Sequence, residues 1–434
     1  MTEKNDVYNS KTYNNAYNNN AYSNPYNNEG YNNEGYNNEA YNVDVCRNEE
    51  ITRLGALPVM PAVLSENKNL PLADFRGLAD ILKSKELPDF DKDLDSIENA
   101  GVLQMLGHAD EFACQIRNAW RLGEDAEIKD RQKAGTFKRA FVCGMGGSGI
   151  GGSLAEKYAC EHSEIDVTAV KGYDLPPNID EDSLVIAVSH SGNTAETLHC
   201  YNYAKSRNAV CAVVAGGGRL FADAQSSGDT AVKIPTELLP RESSAYLTIP
   251  VFWLLAHYGL WEMRTAELLE ILEAVNSIIF TCNLFVPSAE NPAKRLAEKI
   301  CRKTPVILGV CGYMESAARK WKTMLNENAK IPVLANSLPE FFHNEIEAVN
   351  PSCQILILRS LAENPNLKKQ IAAMQRVLAD KGIDCEMVWV MGGSTLAKAM
   401  SMMLLGDYCS LYASHLLGRD CKTIPTVNAL KKLV

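Results

Sequence analysis

The 434-residue chain has no run of about 18 consecutive apolar residues, so a membrane-spanning helix is not expected. Positive charge is not in excess either: 43 Lys and Arg against 53 Asp and Glu leave a net charge of −10. Nucleic acids and anionic membranes reward a basic surface, so neither is expected as a partner. No CxxC pair occurs among the 13 cysteines, which argues against zinc-ribbon and thioredoxin-type sites. Scattered thiols in a long chain fit a reducing, cytoplasmic setting better than a disulfide framework. The N-terminus lacks the apolar core of an export signal.

Residues 1–45 contain almost no aliphatic side chains. Tyr8, Tyr13, Tyr17, Tyr22, Tyr26, Tyr31, Tyr36 and Tyr41 recur in a matrix of Asn, and from Tyr26 the Tyr-Asn-Asn-Glu-Gly unit repeats every five residues. Such a segment has no core to offset its conformational entropy and reads as a disordered low-complexity tail with some capacity for cross-β self-association. Residues 46–95 read as a linker with short helices such as Asp74–Lys85, and spaced apolar positions predict a helix over Asp93–Trp120.

From residue 138 onward, short apolar strands alternate with helices. The predicted strands are Arg139–Cys143, Ile165–Val170, Leu184–Val188 and Ala209–Ala215, with helices over Leu154–Cys160 and Thr194–Ser206. After a linker helix near 266–285, a second series follows. Its strands are Pro305–Val310, Ile331–Ala335, Gln354–Leu358 and Cys385–Val390. Its helices are Met314–Glu327, Leu367–Lys381 and Ser394–Leu417. Strands separated by helices of this length predict right-handed βαβ units and parallel sheets, hence two tandem α/β domains at 96–270 and 271–434.

Gly144, Gly146 and Gly149 satisfy the G-x-G-x-x-G pattern between a strand and a helix. A dinucleotide site would also want an acid at the end of the second strand to hold ribose hydroxyls, and there the chain has Val170-Lys171-Gly172. The same glycines suit a simpler anion: backbone N–H groups and a helix N-terminus attract phosphate. The third strand runs into Ser189-His190-Ser191-Gly192-Asn193-Thr194, where three hydroxyls exceed the one needed for a helix cap. Both loops fall at the carboxyl ends of strands, where open α/β sheets bind ligands. His190 alternates away from its serine neighbours and reads as structural.

The pairing of Gly-x-Gly-Gly-Ser-Gly with Ser-x-Ser-Gly-Asn-Thr resembles the sugar isomerase (SIS) domain. With Pro240-Arg241, Asn326-Glu327-Asn328-Ala329-Lys330, Leu338–Glu345, Gly406-Asp407-Tyr408 and Ala429-Leu430-Lys431, the chain is similar to the bifunctional phosphoglucose/phosphomannose isomerases from about Asp93 to the C-terminus. The resemblance implies two SIS-type, flavodoxin-like αβα domains, a homodimer, a sugar-phosphate substrate, and neither cofactor nor metal. It implies a phosphate site formed by Gly146, Gly147, Ser148, Ser189, Ser191 and Thr194. It also assigns Glu327 as catalytic base, Arg241 as the cation that steadies the enediolate, and His343 and Lys431 to ring opening. These types suit the chemistry. A carboxylate shuttles a proton between adjacent carbons, a fixed cation stabilises the oxyanion, and a histidine exchanges protons near neutrality.

Other readings compete at each position. Glu327 beside Lys330 has the spacing of a helical ion pair, Glu345 is a rival base, Arg241 precedes a helix start, and Lys431 with Lys432 has the look of a solvated end. Two departures from the family pattern stand out. Glu242-Ser243 follows Arg241, putting an acid next to the working cation, and Ile424 precedes Pro425 where relatives commonly carry threonine, which bears on acceptance of mannose 6-phosphate. The second domain holds only a degenerate loop, Gly309-Val310-Cys311-Gly312-Tyr313, so one phosphate site per chain is expected. A regulator would bring a basic helix-turn-helix, and an amidotransferase an N-terminal nucleophilic Cys; neither is present.

Overall fold

The chain alternates apolar side chains along its strands so that both faces of each sheet are covered. A computed structural model describes residues 99–129, 135–310, 312–361, 363–390 and 392–433. The expected tail, the linker with its Asp74–Lys85 helix, residues 93–98 and Cys311 lie outside the described residues. The N-terminal helix expected to run to Trp120 is two helices, α1 (Ala100–Asp110) and α2 (Phe112–Glu124). Asn99 caps α1 by accepting from the N–H groups of Gly101 and Val102.

The first sheet follows: β1 (Arg139–Cys143), α3 (Ile150–His162), β2 (Asp166–Val170), β3 (Ser183–Ser189), α4 (Ala195–Ser206), β4 (Val210–Ala215), α5 (Gly218–Ser226) and β5 (Thr230–Lys233). Its strands are parallel in the order β2-β1-β3-β4-β5, the doubly wound order of flavodoxin-like folds. All seven residues of β3 are buried, as expected of a central parallel strand. Val142, Leu184, Ile186 and Val188 join one core, and Phe141, Cys143, Val185 and Ala187 the other, which is the period-two alternation of a strand.

Two apolar helices, α6 (Ser244–His257) and α7 (Thr265–Cys282), and then α8 (Pro292–Cys301) lead to the second sheet. This contains β6 (Thr304–Val310), α9 (Tyr313–Met324), β7 (Leu334–Leu338), β8 (Cys353–Arg359), α10 (Pro365–Asp380) and β9 (Asp384–Trp389), ordered β7-β6-β8-β9 and again parallel. The strand expected at Ile331–Ala335 begins three residues later. Lys330 has left-handed backbone (φ 57°), Pro332 stands two residues on, and pairing with β6 starts only at Leu334.

The 22-residue helix α11 (Thr395–Leu416) is apolar all round and buried along nearly its whole length, the signature of a helix inside a core. It packs against α1, α7, α8 and α9. One continuous apolar cluster runs from α1 and the first sheet through α11 to the second sheet. A last short helix, α12 (Pro425–Lys431), buries none of its residues. Ten described cysteines are free thiols. Among the described residues no helix is long and apolar enough to cross a membrane.

Helices α9 and α11 pass closely at Gly406, where an added Cβ would lie 2.4 Å from the buried Trp321 ring. Gly406→Ala is expected to overpack this crossing and cost about 1–3 kcal/mol, read as a lowered urea midpoint with an unchanged m-value.

Candidate active site

Two loops leave the carboxyl ends of β1 and β3 side by side. Gly146–Gly149 forms a single 3-10 turn before α3. Ser148 Oγ accepts from the backbone N–H of His190 at 3.0 Å, which ties the glycine loop to the hydroxyl loop. Ser189 Oγ and Thr194 Oγ1 are 2.9 Å apart, and Ser189 Oγ also accepts from Gly192 N–H at 3.1 Å. Ser148 and Ser189 are buried, whereas Ser191 is exposed and accepts from Asn193 N–H. The expected phosphate-loop residues are thus brought together in one cup. His190 is buried and contributes backbone bonds to Ser148 and Gly216, in keeping with a structural role.

Glycine is required at two places in this cup. An added Cβ at Gly147 would come within 2.8 Å of the Pro240 carbonyl. Gly192 has φ +67°, and a Cβ there would fall 1.7 Å from the Gly217 carbonyl oxygen. The first contact matters most, because it sets the glycine loop directly on the turn that carries Arg241.

Arg241 is 3% exposed, and its guanidinium is held on every side. Nε donates to Asn328 Oδ1 at 2.8 Å and Nη1 faces Glu327 Oε2 at 3.3 Å. Nη2 donates to the Cys421 and Lys422 carbonyls, the latter at 2.9 Å. Glu327 and Asn328 sit on a single π-helical turn, Leu325–Ala329, that prolongs α9. Such turns recur at functional sites, where they re-aim side chains. The Glu327 side chain keeps 29% exposure, so it remains open to a ligand. Lys330 does not pair with the Glu327 carboxylate: its ammonium donates to the carbonyls of Glu327 and of Thr423. Burial and the nearby Arg241 hold its pKa below the usual lysine value. Glu345, the rival base, lies in a separate 3-10 turn, Glu345–Glu347, and makes no contact with Arg241.

Beneath Arg241 lies a second buried charge pair. Lys320 donates to the Arg241 carbonyl and stands 3.4 Å from Asp407 Oδ1, with side-chain exposures of 4% and 10%. Burial raises the Asp407 pKa to about 6, opposed by Lys320. A cavity of about 50 Å³ at this junction is lined by Gly146, Gly147, Lys171, Arg241, Arg319 and Lys320. The pocket is therefore cationic on an acidic protein.

Two expected residues are not brought to this cluster. His343 is exposed at the end of the 3-10 turn Glu340–His343, and Lys431 is exposed at the end of α12. Neither forms a hydrogen bond or ion pair with Arg241, Glu327 or the phosphate loops. Conversely, sequence reasoning gave no role to Lys320, Asn328 or Asp407. Lys320 did carry a signal: it falls three residues after Ala317 and four before Met324, on the face of α9 that is otherwise apolar and buried.

Residues 137–257 match the SIS domain, and residues 289–434 match the bacterial phospho-glucose isomerase C-terminal SIS domain. Fold and site together define a protein of the SIS isomerase class. The bifunctional phosphoglucose/phosphomannose isomerase of Caldicellulosiruptor bescii is 32% identical over 323 residues, covering 73% of this chain and 95% of that one. The protein of the same name from Aquifex aeolicus is 30% identical over 303 residues, covering 68% and 90%. Among solved structures, the C-terminal domain of glucosamine-fructose-6-phosphate aminotransferase from Francisella tularensis shares the fold, with a TM-score of 0.59 at 15% identity over 74% of this chain and 98% of that one. The chain belongs to the bifunctional phosphoglucose/phosphomannose isomerase family.

The Lys320–Asp407 pair generates a stability test. Lys320→Met leaves Asp407 buried without its cation and is expected to cost about 3–5 kcal/mol, whereas replacing both by apolar residues should cost clearly less. Chemical denaturation of the two variants near pH 7 distinguishes them.

Proposed function

We propose that this protein interconverts glucose 6-phosphate, and its C2 epimer mannose 6-phosphate, with fructose 6-phosphate through a metal-free enediol. The observation that carries the reading is the buried Arg241 held 3.3 Å from the half-open Glu327, next to the glycine loop of a hydroxyl-lined cup. The cup takes the phosphate: Ser148, Ser189 and Thr194 offer hydroxyl donors, and Gly146 and Gly147 offer backbone N–H groups. Glu327 removes the proton from C2 of the open-chain aldose and returns it to C1. Negative charge then grows on the substrate oxygen, and the guanidinium of Arg241, already fixed by four partners, stabilises it without reorganising. A base of this kind serves either C2 epimer, so one site suffices for both aldoses.

Ring opening is assigned to His343 and Lys431, and their exposure supports a homodimer. Both side chains are exposed, and the C-terminal segment presents Val427 and Leu430 on α12 and Leu433 just beyond it, with 41%, 61% and 84% exposure. Exposed apolar side chains grouped on one short element favour burial against a partner. Ile424, where the family resemblance leads one to expect threonine, stands at the N-cap of α12, and the neighbouring Thr423 hydroxyl is already bonded to Asp420. The departure therefore bears on the mannose arm of the reaction.

Coupled assays from fructose 6-phosphate, reading each aldose separately, are expected to show isomerisation that persists with EDTA. Failure to form either aldose would overturn the assignment, and loss with EDTA would overturn the metal-free route. Glu327→Gln should reduce turnover by at least about 10³-fold while sugar-phosphate binding remains. If Glu345→Gln does so instead, the base is misassigned. For the dimer, sedimentation should give twice the chain mass. Mixing inactive Glu327→Gln and His343→Ala chains should restore activity if each site draws its histidine from the partner subunit.

A further inference from the structure

Glu242 puts a carboxylate directly after the working arginine, and the structure shows what answers it. Its side chain is 7% exposed, and one oxygen lies 2.8 Å from Nδ1 of His108 on α1. The other accepts from Leu239 N–H at 3.1 Å. We propose that His108 is a positioning residue for the isomerisation, cancelling the charge of Glu242 so that Arg241 meets the enediolate at full strength. The inference rests on the assignment of Arg241 to that intermediate.

Helix α1 lies outside both matched domain segments, yet it braces Arg241 from a second direction. The carbonyls of Cys421 and Lys422 that hold the guanidinium belong to a loop fastened to α1. Asn99 Nδ2 donates to the Arg419 carbonyl at 3.2 Å, and Lys422 Nζ donates to Gln104 Oε1 at 2.7 Å. Gly101 leaves room for the Lys422 side chain, since a Cβ there would lie 2.9 Å from its Cδ. One helix thus fixes both the backbone that grips Arg241 and the counter-charge that shields it.

The hydrogen bond to Glu242 raises the His108 pKa above 6.5, and Glu111 adds to it, while burial and Lys422 oppose. Glu242 also adds to the upward shift of the Asp407 pKa, and Asp407 is paired with Lys320. Below the raised pKa the imidazolium cancels Glu242. As pH rises through that value His108 loses its proton, and the buried anion next in sequence to Arg241 is left uncompensated.

The test is steady-state kinetics on the full chain. His108→Ala is expected to lower kcat about tenfold with KM little changed, and His108→Ala combined with Glu242→Gln should recover most of that loss. Glu242→Gln alone should flatten the alkaline fall in kcat. A structural role for His108 would not be rescued by removing the carboxylate. The proposal is overturned if His108→Ala matches the wild type, if the double variant is no faster than His108→Ala, or if the alkaline limb survives in Glu242→Gln. Should His108→Ala fail to fold by circular dichroism, Glu242→Gln still decides through its pH profile. Arg241→Lys separates the two levels. Full activity in that variant refutes the underlying assignment of Arg241, whereas a slow Arg241→Lys with an unimpaired His108→Ala refutes only the role of His108.

Discussion

Everything around the site depends on keeping one buried guanidinium satisfied. An unpaired buried cation costs several kcal/mol, so Arg241 has to find partners wherever the fold places it. It follows the first sheet in the chain, but its side-chain partners come from elsewhere. Glu327 and Asn328 extend α9 of the second sheet, and the Cys421 and Lys422 carbonyls come from the loop after α11. Lys320, also on α9, grips the backbone of Arg241 from below. The two halves of the chain, already joined by a continuous apolar core, are also tied together by the demands of this side chain, and the same contacts orient the carboxylate assigned as base.

How much of this was legible in the residues varied with the physics involved. Glycine loops and hydroxyl clusters follow from local backbone requirements, so Gly144–Gly149 and Ser189–Thr194 could be read without the fold. Buried parallel strands such as β3 stand out as short apolar runs, and their limits are met to within a residue. The β7 strand starts later than its residues suggest, because Ile331–Ala335 has strand-like side chains while pairing is governed by the left-handed turn at Lys330 and the register with β6. The break between α1 and α2 has no strong stop signal at Glu111. The Lys320–Asp407 pair and the His108–Glu242 contact join residues 87 and 134 positions apart, which no local pattern encodes.

The acidic neighbour of Arg241 shows how a departure from a family pattern is to be weighed. In sequence it reads as a defect, an anion placed where the reaction builds negative charge. In the structure it is the partner of an imidazole supplied by a helix that precedes both matched domains. Fold likeness would not have revealed this, since a shared SIS architecture at 15% identity covers proteins whose names describe other reactions. The side chains around the reacting position carry the distinction.

The contact of Gly147 with the Pro240 carbonyl has one more consequence. The phosphate cup and the arginine turn touch through backbone, with no flexible side chain between them, so neither shifts without the other. On the proposed reading, the distance from phosphate to reacting carbonyl is then a property of the frame, and the site acts as a ruler. Under that proposal, a sugar phosphate shorter by one carbon would anchor at one end and fall short at the other, so selection for six-carbon substrates would need no dedicated specificity pocket.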